Sequence, residues 1–172
     1  NGPHNEGGHT PDLFQPAGPL RGMKRNLTEG GIRVPFIARW PGTIPPGTTN
    51  GQVGWFADFL PTAAELAGAP APMPTDGISL VPTLLGQPGP AASRAPLYWE
   101  FHERGFTQAA RSGDWKAVRL GTKRAIELYD MKNDTTEAHD VAGQHPDVVK
   151  QFEAYLKAAR VDSKVWPIRE NV

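Results

Sequence analysis

Residues 97–129 constrain the fold of this chain more tightly than any other stretch. They hold four short runs of aromatic and aliphatic residues, at 97–101, 107–111, 115–119 and 125–129. The turn formers Ser112-Gly113-Asp114 and Gly121-Thr122-Lys123 lie between the later runs. The connections are too short for crossover helices, so the runs can pair only as an antiparallel meander of three or four strands. Trp115, Ala117 with Val118, and Leu128 are expected on one apolar face. Downstream, Pro146 takes the first position of a helix and Asp147 complements its dipole. Val148, Val149, Phe152, Leu156 and Ala159 recur at helical spacing. That stripe should lie on the meander and make an α+β unit. The final ten residues read as an extended tail.

The N-terminal half has a different texture. Turn formers crowd residues 1–18 and argue against a regular element there. Next comes a seventeen-residue stretch, 19–35, with four cations, one carboxylate and three glycines. Lysine and arginine supply charge, and glycine lets backbone approach a ligand. Such a loop is either an oxyanion grip or a solvated basic turn. It feeds residues 34–40, which read as a buried strand. Residues 58–68 read as a short helix with Asp58 as N-cap and Gly68 as stop. Its residues Leu60, Ala63, Ala64 and Leu66-Ala67 are expected to face a sheet. A turn and a helix of one to two turns follow over 76–86, then a loop over 87–96.

Totals narrow the function classes. Eighteen Lys and Arg balance eighteen Asp and Glu over 172 residues, which argues against nucleic acid and against a polybasic membrane surface. There is no cysteine, so disulfides and thiol chemistry are excluded. No run of about 18 apolar residues is present to span a membrane. The chain opens on Asn1-Gly2-Pro3 without an initiator Met or signal peptide, as if cut inside a domain. His4 and His9 flank Glu6, but Gly7-Gly8 between them breaks any helical ligand spacing, which disfavours a zinc site. Asn26-Leu27-Thr28 and Asn133-Asp134-Thr135 match the glycosylation sequon, a pattern too short to weigh much.

Leu20, Arg21, Lys24, Glu29, Gly30, Gly31, Arg33 and Pro35 fall in register with a signature of the type I, formylglycine-dependent sulfatases. That signature is Leu-Arg-x-x-Lys, four residues, then Glu-Gly-Gly-x-Arg-x-Pro. Asn1-Gly2 resembles the second half of the family's Asp-Asn-Gly metal motif. The patterns around Asp76-Gly77, Leu84-Leu85 and Leu128-Tyr129-Asp130 also match. The resemblance implies the C-terminal part of an alkaline-phosphatase-like α/β to α+β fold. Residues 1–96 would be the remainder of the catalytic domain and 97–172 a small subdomain of antiparallel meander plus helix.

The resemblance also implies site roles. Lys24 would contact the sulfate group as the catalytic cation, and Asn1 would be a calcium ligand. His4 and His9 would line the pocket mouth, and Glu100 and His102 would border the cleft as substrate contacts. The family's nucleophile is a formylglycine made from a Cys/Ser-x-Pro-x-Arg motif. None of Ser79, Ser93, Ser112 or Ser163 stands in that motif, and no Asp-Asp pair is present. Nucleophile and acidic metal ligands are therefore expected upstream, leaving this piece inactive alone. The implied substrate is a sulfated small molecule or carbohydrate, with periplasmic or extracellular location. Alternatives are a phosphodiesterase or phosphonate hydrolase of the same superfamily, or a non-catalytic carbohydrate-binding module. Residues 34–40, lacking neighbours, would form a sheet edge open to self-association.

Overall fold

The computed structural model describes residues 1–71, 73–88, 94–103 and 105–168. Contacts divide the chain into two compact units, Asn1–Val34 with Pro96–Val172, and Pro35–Ala95. The contact grouping runs across the expected boundary at 96, because residues 1–34 pack with the sheet.

The first unit is built on a four-stranded antiparallel sheet in the order β1-β2-β3-β4. Its strands are β1 (Leu97–Phe101), β2 (Thr107–Ser112), β3 (Trp115–Arg119) and β4 (Glu127–Asp130). Ser112 pairs with Trp115 across Gly113-Asp114, and Gly113 takes the positive φ of 56° that this tight turn needs. The fourth strand begins two residues later than expected, though Ile126 before it is buried.

The sheet is buried on both faces. Ala110, Ala117, Ile126 and Leu128 pack against Phe152 and Leu156 of the long helix α5 (Pro146–Ala159). Ala109, Val118, Tyr129 and Met131 pack on the other side with Leu27. Ala117 and Val118 therefore face opposite ways, contrary to the single apolar face expected for them. A strand has period two, so adjacent residues cannot share a face. The helix lies on the meander as its stripe requires, and the Tyr155 hydroxyl donates to the Pro96 carbonyl at 2.5 Å.

The second face is covered by the cationic stretch, which includes a one-turn helix α2 (Glu29–Ile32). The supposed loop of residues 1–18 also contains one helical turn, α1 (Pro11–Phe14), with Pro11 at its start. Proline is pre-set for that position, and its missing N–H costs nothing there.

The second unit holds α3 (Phe59–Leu66) and α4 (Val81–Leu84). Its centre is Asp58, which is fully buried. The Asp58 carboxylate accepts from Trp55 N–H at 3.0 Å, Ile78 N–H at 2.9 Å and the Arg94 guanidinium at 2.7 and 2.9 Å. Asp58 thus makes no side-chain cap on α3. Thr62 donates to the Asp58 carbonyl at 2.6 Å and accepts from Leu80 N–H at 2.9 Å. This polar network turns Pro61 and Thr62 inward and leaves Leu60 and Leu66 exposed, reversing the face expected from the apolar spacing.

Residues 34–40 are not a strand. They carry no ladder among the described residues, and Ile37 is 88% exposed. A strand exists only through partners for its N–H and C=O groups, and β1 to β4 pair among themselves. The sheet edge expected at 34–40 is therefore not formed. The expected loop over 87–96 lies partly outside the described residues.

Leu156 is wholly buried under the sheet. Leu156→Ala should lower the stability of the first unit by about 2–5 kcal/mol, read as a reduced denaturant midpoint with unchanged slope.

Candidate functional site

Two backbone hydrogen bonds lay the first residues beside the cationic loop. Gly2 N–H donates to Gly31 O at 2.8 Å, and Lys24 N–H donates to Pro3 O at 2.9 Å. Within the loop, Gly30 N–H donates to Arg21 O at 2.7 Å. The approach leaves no space for side chains. A Cβ on Gly2 would stand 1.8 Å from Gly30 O, and one on Gly30 would stand 2.2 Å from Gly22 O. The Gly-Gly of the signature is thus a crossing point of backbones.

The charged residues flanking Lys24 anchor this loop to the sheet. Lys116 of β3 has no exposed surface. Its ammonium donates to Glu29 Oε1 at 2.8 Å and contacts Glu137 Oε1 at 2.7 Å. Glu137 closes the group by accepting from Glu29 N–H at 2.6 Å. On the other side of the loop, the Arg21 guanidinium donates to Glu127 Oε2 at 3.1 Å and to the Tyr129 hydroxyl. It also lies 5.6 Å from the Tyr129 ring centre. Burial, with the Glu127 carboxylate beside it, pushes the Tyr129 phenol well above its usual range. It therefore stays protonated and donates to Glu127 at 2.5 Å.

Between these anchors Lys24 meets a compact ionic cluster. Lys24 Nζ donates to Glu6 Oε2 at 3.1 Å, and Arg25 Nη2 donates to Glu6 Oε1 at 2.9 Å. Arg25 Nη1 lies 2.9 Å from His4 Nε2, and Arg25 Nε donates to Glu103 Oε2 at 2.7 Å. The hydrogen bond from Lys24, followed by that from Arg25, holds the Glu6 carboxyl down at about 2.

Of the residues the resemblance nominated, the structure brings Lys24 and His4 together. Asn1 is exposed at the start of the strip that Gly2 pins to Gly31. His9 N–H donates to Glu6 O at 3.2 Å, but its ring stacks parallel to Phe14 at 6.2 Å. Glu100 and His102 form a separate group at the end of β1. Glu100 accepts from Tyr98 at 2.7 Å, lies 3.0 Å from His102 Nε2, and pairs with Arg160 Nε at 3.2 Å. Burial pushes the Glu100 carboxyl upward, but these partners outweigh it and leave it below the usual range. A cleft of about 520 Å³ lined by Phe106, Gln108, Arg119 and Arg160 opens on the α5 side of the sheet, away from Lys24.

The sequence singles out neither Arg25 nor Glu103, and it offers Glu6 only as a disfavoured zinc ligand between His4 and His9. The adjacent cations Lys24-Arg25 were the available signal for Arg25. Glu103 gave none beyond its charge.

Calcium needs six to eight oxygen ligands. Asn1 offers one amide oxygen, right in kind and insufficient in number. Among the described residues no three His, Cys, Asp or Glu side chains converge to hold a metal. These residues alone do not assemble the implied ion site.

The four-stranded antiparallel sheet backed by one helix matches the C-terminal part of sulfatases of alkaline-phosphatase-like fold. The crystal structure of Ps i-CgsB matches at a TM-score of 0.73 and 27% identity, covering 82% of this chain and 32% of that one. The family model described as N-sulphoglucosamine sulphohydrolase, C-terminal, matches residues 23–162. N-acetylgalactosamine-6-O-sulfatase of Bacteroides thetaiotaomicron is 30% identical over 93% of this chain and 35% of its own length. Human arylsulfatase A is 33% identical over 87% of this chain and 35% of its own length. The chain belongs to the sulfatase family and corresponds to its C-terminal portion. It spans about a third of the length of these relatives.

Two outcomes follow from the cluster and its anchor. Lys116→Ala strands two buried carboxylates and should cost about 3–5 kcal/mol in chemical denaturation. In an NMR titration, Glu6 should protonate near pH 2, against an ordinary value of 4.5, and Lys24→Ala should move its midpoint toward 4.5. Because the folded-state value is the lower one, this pairing stabilises the fold above about pH 4.5 and is lost as pH falls through 2.

Proposed function

We propose that this chain is the C-terminal part of a hydrolase of sulfate esters, acting on sulfated carbohydrates, with Lys24 gripping the sulfate group. The observation that carries the reading is the cluster at Lys24. An ammonium and a guanidinium stand side by side on a loop fixed at both ends by buried or half-buried ion pairs. Sulfate transfer builds negative charge on the sulfuryl oxygens, and fixed cations aimed there lower the barrier. The signature residues divide this work. Gly30 and Gly31 permit the crossing, Arg21 and Glu29 hold the loop, and Lys24 faces the anion.

Relatives support the substrate class. One is an N-acetylgalactosamine-6-O-sulfatase. A second structure of Ps i-CgsB, with TM-score 0.72 and 27% identity, holds k-i-k-neocarrahexaose. On this reading Asn1 adds one oxygen to a calcium ion completed by residues beyond this chain. His4 and His9 line the approach, and Glu100 with His102 contacts the sugar. The nucleophilic hydroxyl would be supplied by a formylglycine, for which this chain has no motif. A periplasmic or extracellular location fits this substrate class. Among the described residues no helix is long and apolar enough to cross a membrane.

Lys24→Ala in the sulfatase that carries this chain should lower kcat on a sulfated sugar by roughly 10²–10³, the loss typical of one transition-state donor. An unchanged kcat would remove Lys24 from the site. The 172-residue chain alone should release no sulfate from an aryl sulfate, and turnover there would refute the assignment of the nucleophile elsewhere.

A further inference from the structure

Three donor groups from two chain segments surround the Glu6 carboxylate. Lys24 Nζ is 3.1 Å from Oε2, Arg25 Nη2 is 2.9 Å from Oε1, and His4 Nδ1 is 3.5 Å from Oε1. The histidine tautomer follows from its other contact. Guanidinium nitrogens only donate, so His4 Nε2 accepts from Arg25 Nη1, and the imidazole proton sits on Nδ1. That N–H is buried and has no hydrogen-bond partner, since 3.5 Å is too long. The His4 side chain is only 15% exposed, so bulk water does not easily satisfy it. A carboxylate brings two oxygens to this place. A sulfate ester brings three terminal oxygens, which matches three donors.

Glu6 is held by its ion pairs with Lys24 and Arg25 and not by packing. Its side chain is 52% exposed, and Gly7 and Gly8 follow it at φ of 65° and 81° with open space around both. It can swing outward without unpacking a core. Arg25 is the opposite case. Its backbone sits at φ 81°, a strained region for a non-glycine residue, and Glu103 fixes its Nε at 2.7 Å. When Glu6 leaves, the guanidinium, 21% exposed, keeps its pairing with the half-exposed Glu103 carboxylate.

We propose that Arg25 and His4 join Lys24 as ligands of one tetrahedral oxyanion, and that Glu6 is an internal carboxylate that occupies this cradle until the anion displaces it. This rests on the reading of Lys24 as a sulfate-gripping residue. Glu6 then acts as a built-in competitor, so weakly bound anions are rejected and only a ligand with further contacts displaces it.

Titration of the full chain with sodium sulfate, at ionic strength held constant with sodium chloride, tests this. Binding is followed through the NMR signals of the Arg25 and His4 side chains. Glu6→Gln should bind inorganic sulfate about tenfold or more tightly than the parent, and Glu6→Ala should do the same. Adding Arg25→Gln to Glu6→Gln should remove that gain. Equal or weaker binding by both Glu6 variants would overturn the proposal, as would a double variant that keeps the gain. Absence of sulfate binding in every variant would also overturn it. Failure of the parent reading looks different: Lys24→Ala would leave both sulfate affinity and kcat of the whole enzyme unchanged.

Discussion

The structure of the first unit depends on one buried ammonium. Lys116 sits in the middle of a strand with no exposed surface, held between Glu29 and Glu137. Removing such charges from water is costly, and the cost is offset only while all three groups stay together. The triad therefore works as a positional lock. Glu29 belongs to the loop, Lys116 to the sheet, and Glu137 to the turn after β4. Any slip of one against the others leaves a buried charge alone. Burial of Leu27 on Val118 and Tyr129 adds apolar area to the same contact without fixing its register.

That lock gives the signature loop a structural role. Its charged side chains are all paired within the protein. Arg21 stacks on Tyr129 and pairs with Glu127, Glu29 pairs with Lys116, and the two glycines let Asn1-Gly2 run alongside. A cation that stabilises a developing anion must already be in place, because reorganisation during the reaction would cancel its benefit. Arg21 and Glu29 of the same motif fix the backbone on which Lys24 stands.

The second unit shows how polar burial overrides apolar pattern. The spacing of Leu60, Ala63, Ala64 and Leu66 describes a plausible core face, yet Asp58, Thr62 and Arg94 take the interior. A buried carboxylate without partners would cost more than the exposure of two leucines. Asp58 gathers four hydrogen bonds, and the helix turns to suit it. Residues 34–40 carry the same lesson for strands. Their composition favours extended backbone, but a ladder needs a partner that the sheet does not provide.

By itself the sequence determined the four strands, their tight turn at Gly113-Asp114, the helix from Pro146 and the identity of the signature loop. Each of these is written in a window of fewer than about twenty residues, through periodicity, turn chemistry or fixed spacing. The tertiary structure alone decided that Lys116 is buried, that Ala117 and Val118 serve different cores, and that Glu6 meets Lys24 and Arg25. Lys116 finds Glu29 across 87 positions of sequence, and Arg25 finds Glu103 across 78. Such pairings follow from which faces the topology brings together. A lysine in a β-run looks like any solvent-facing residue until its neighbours are known.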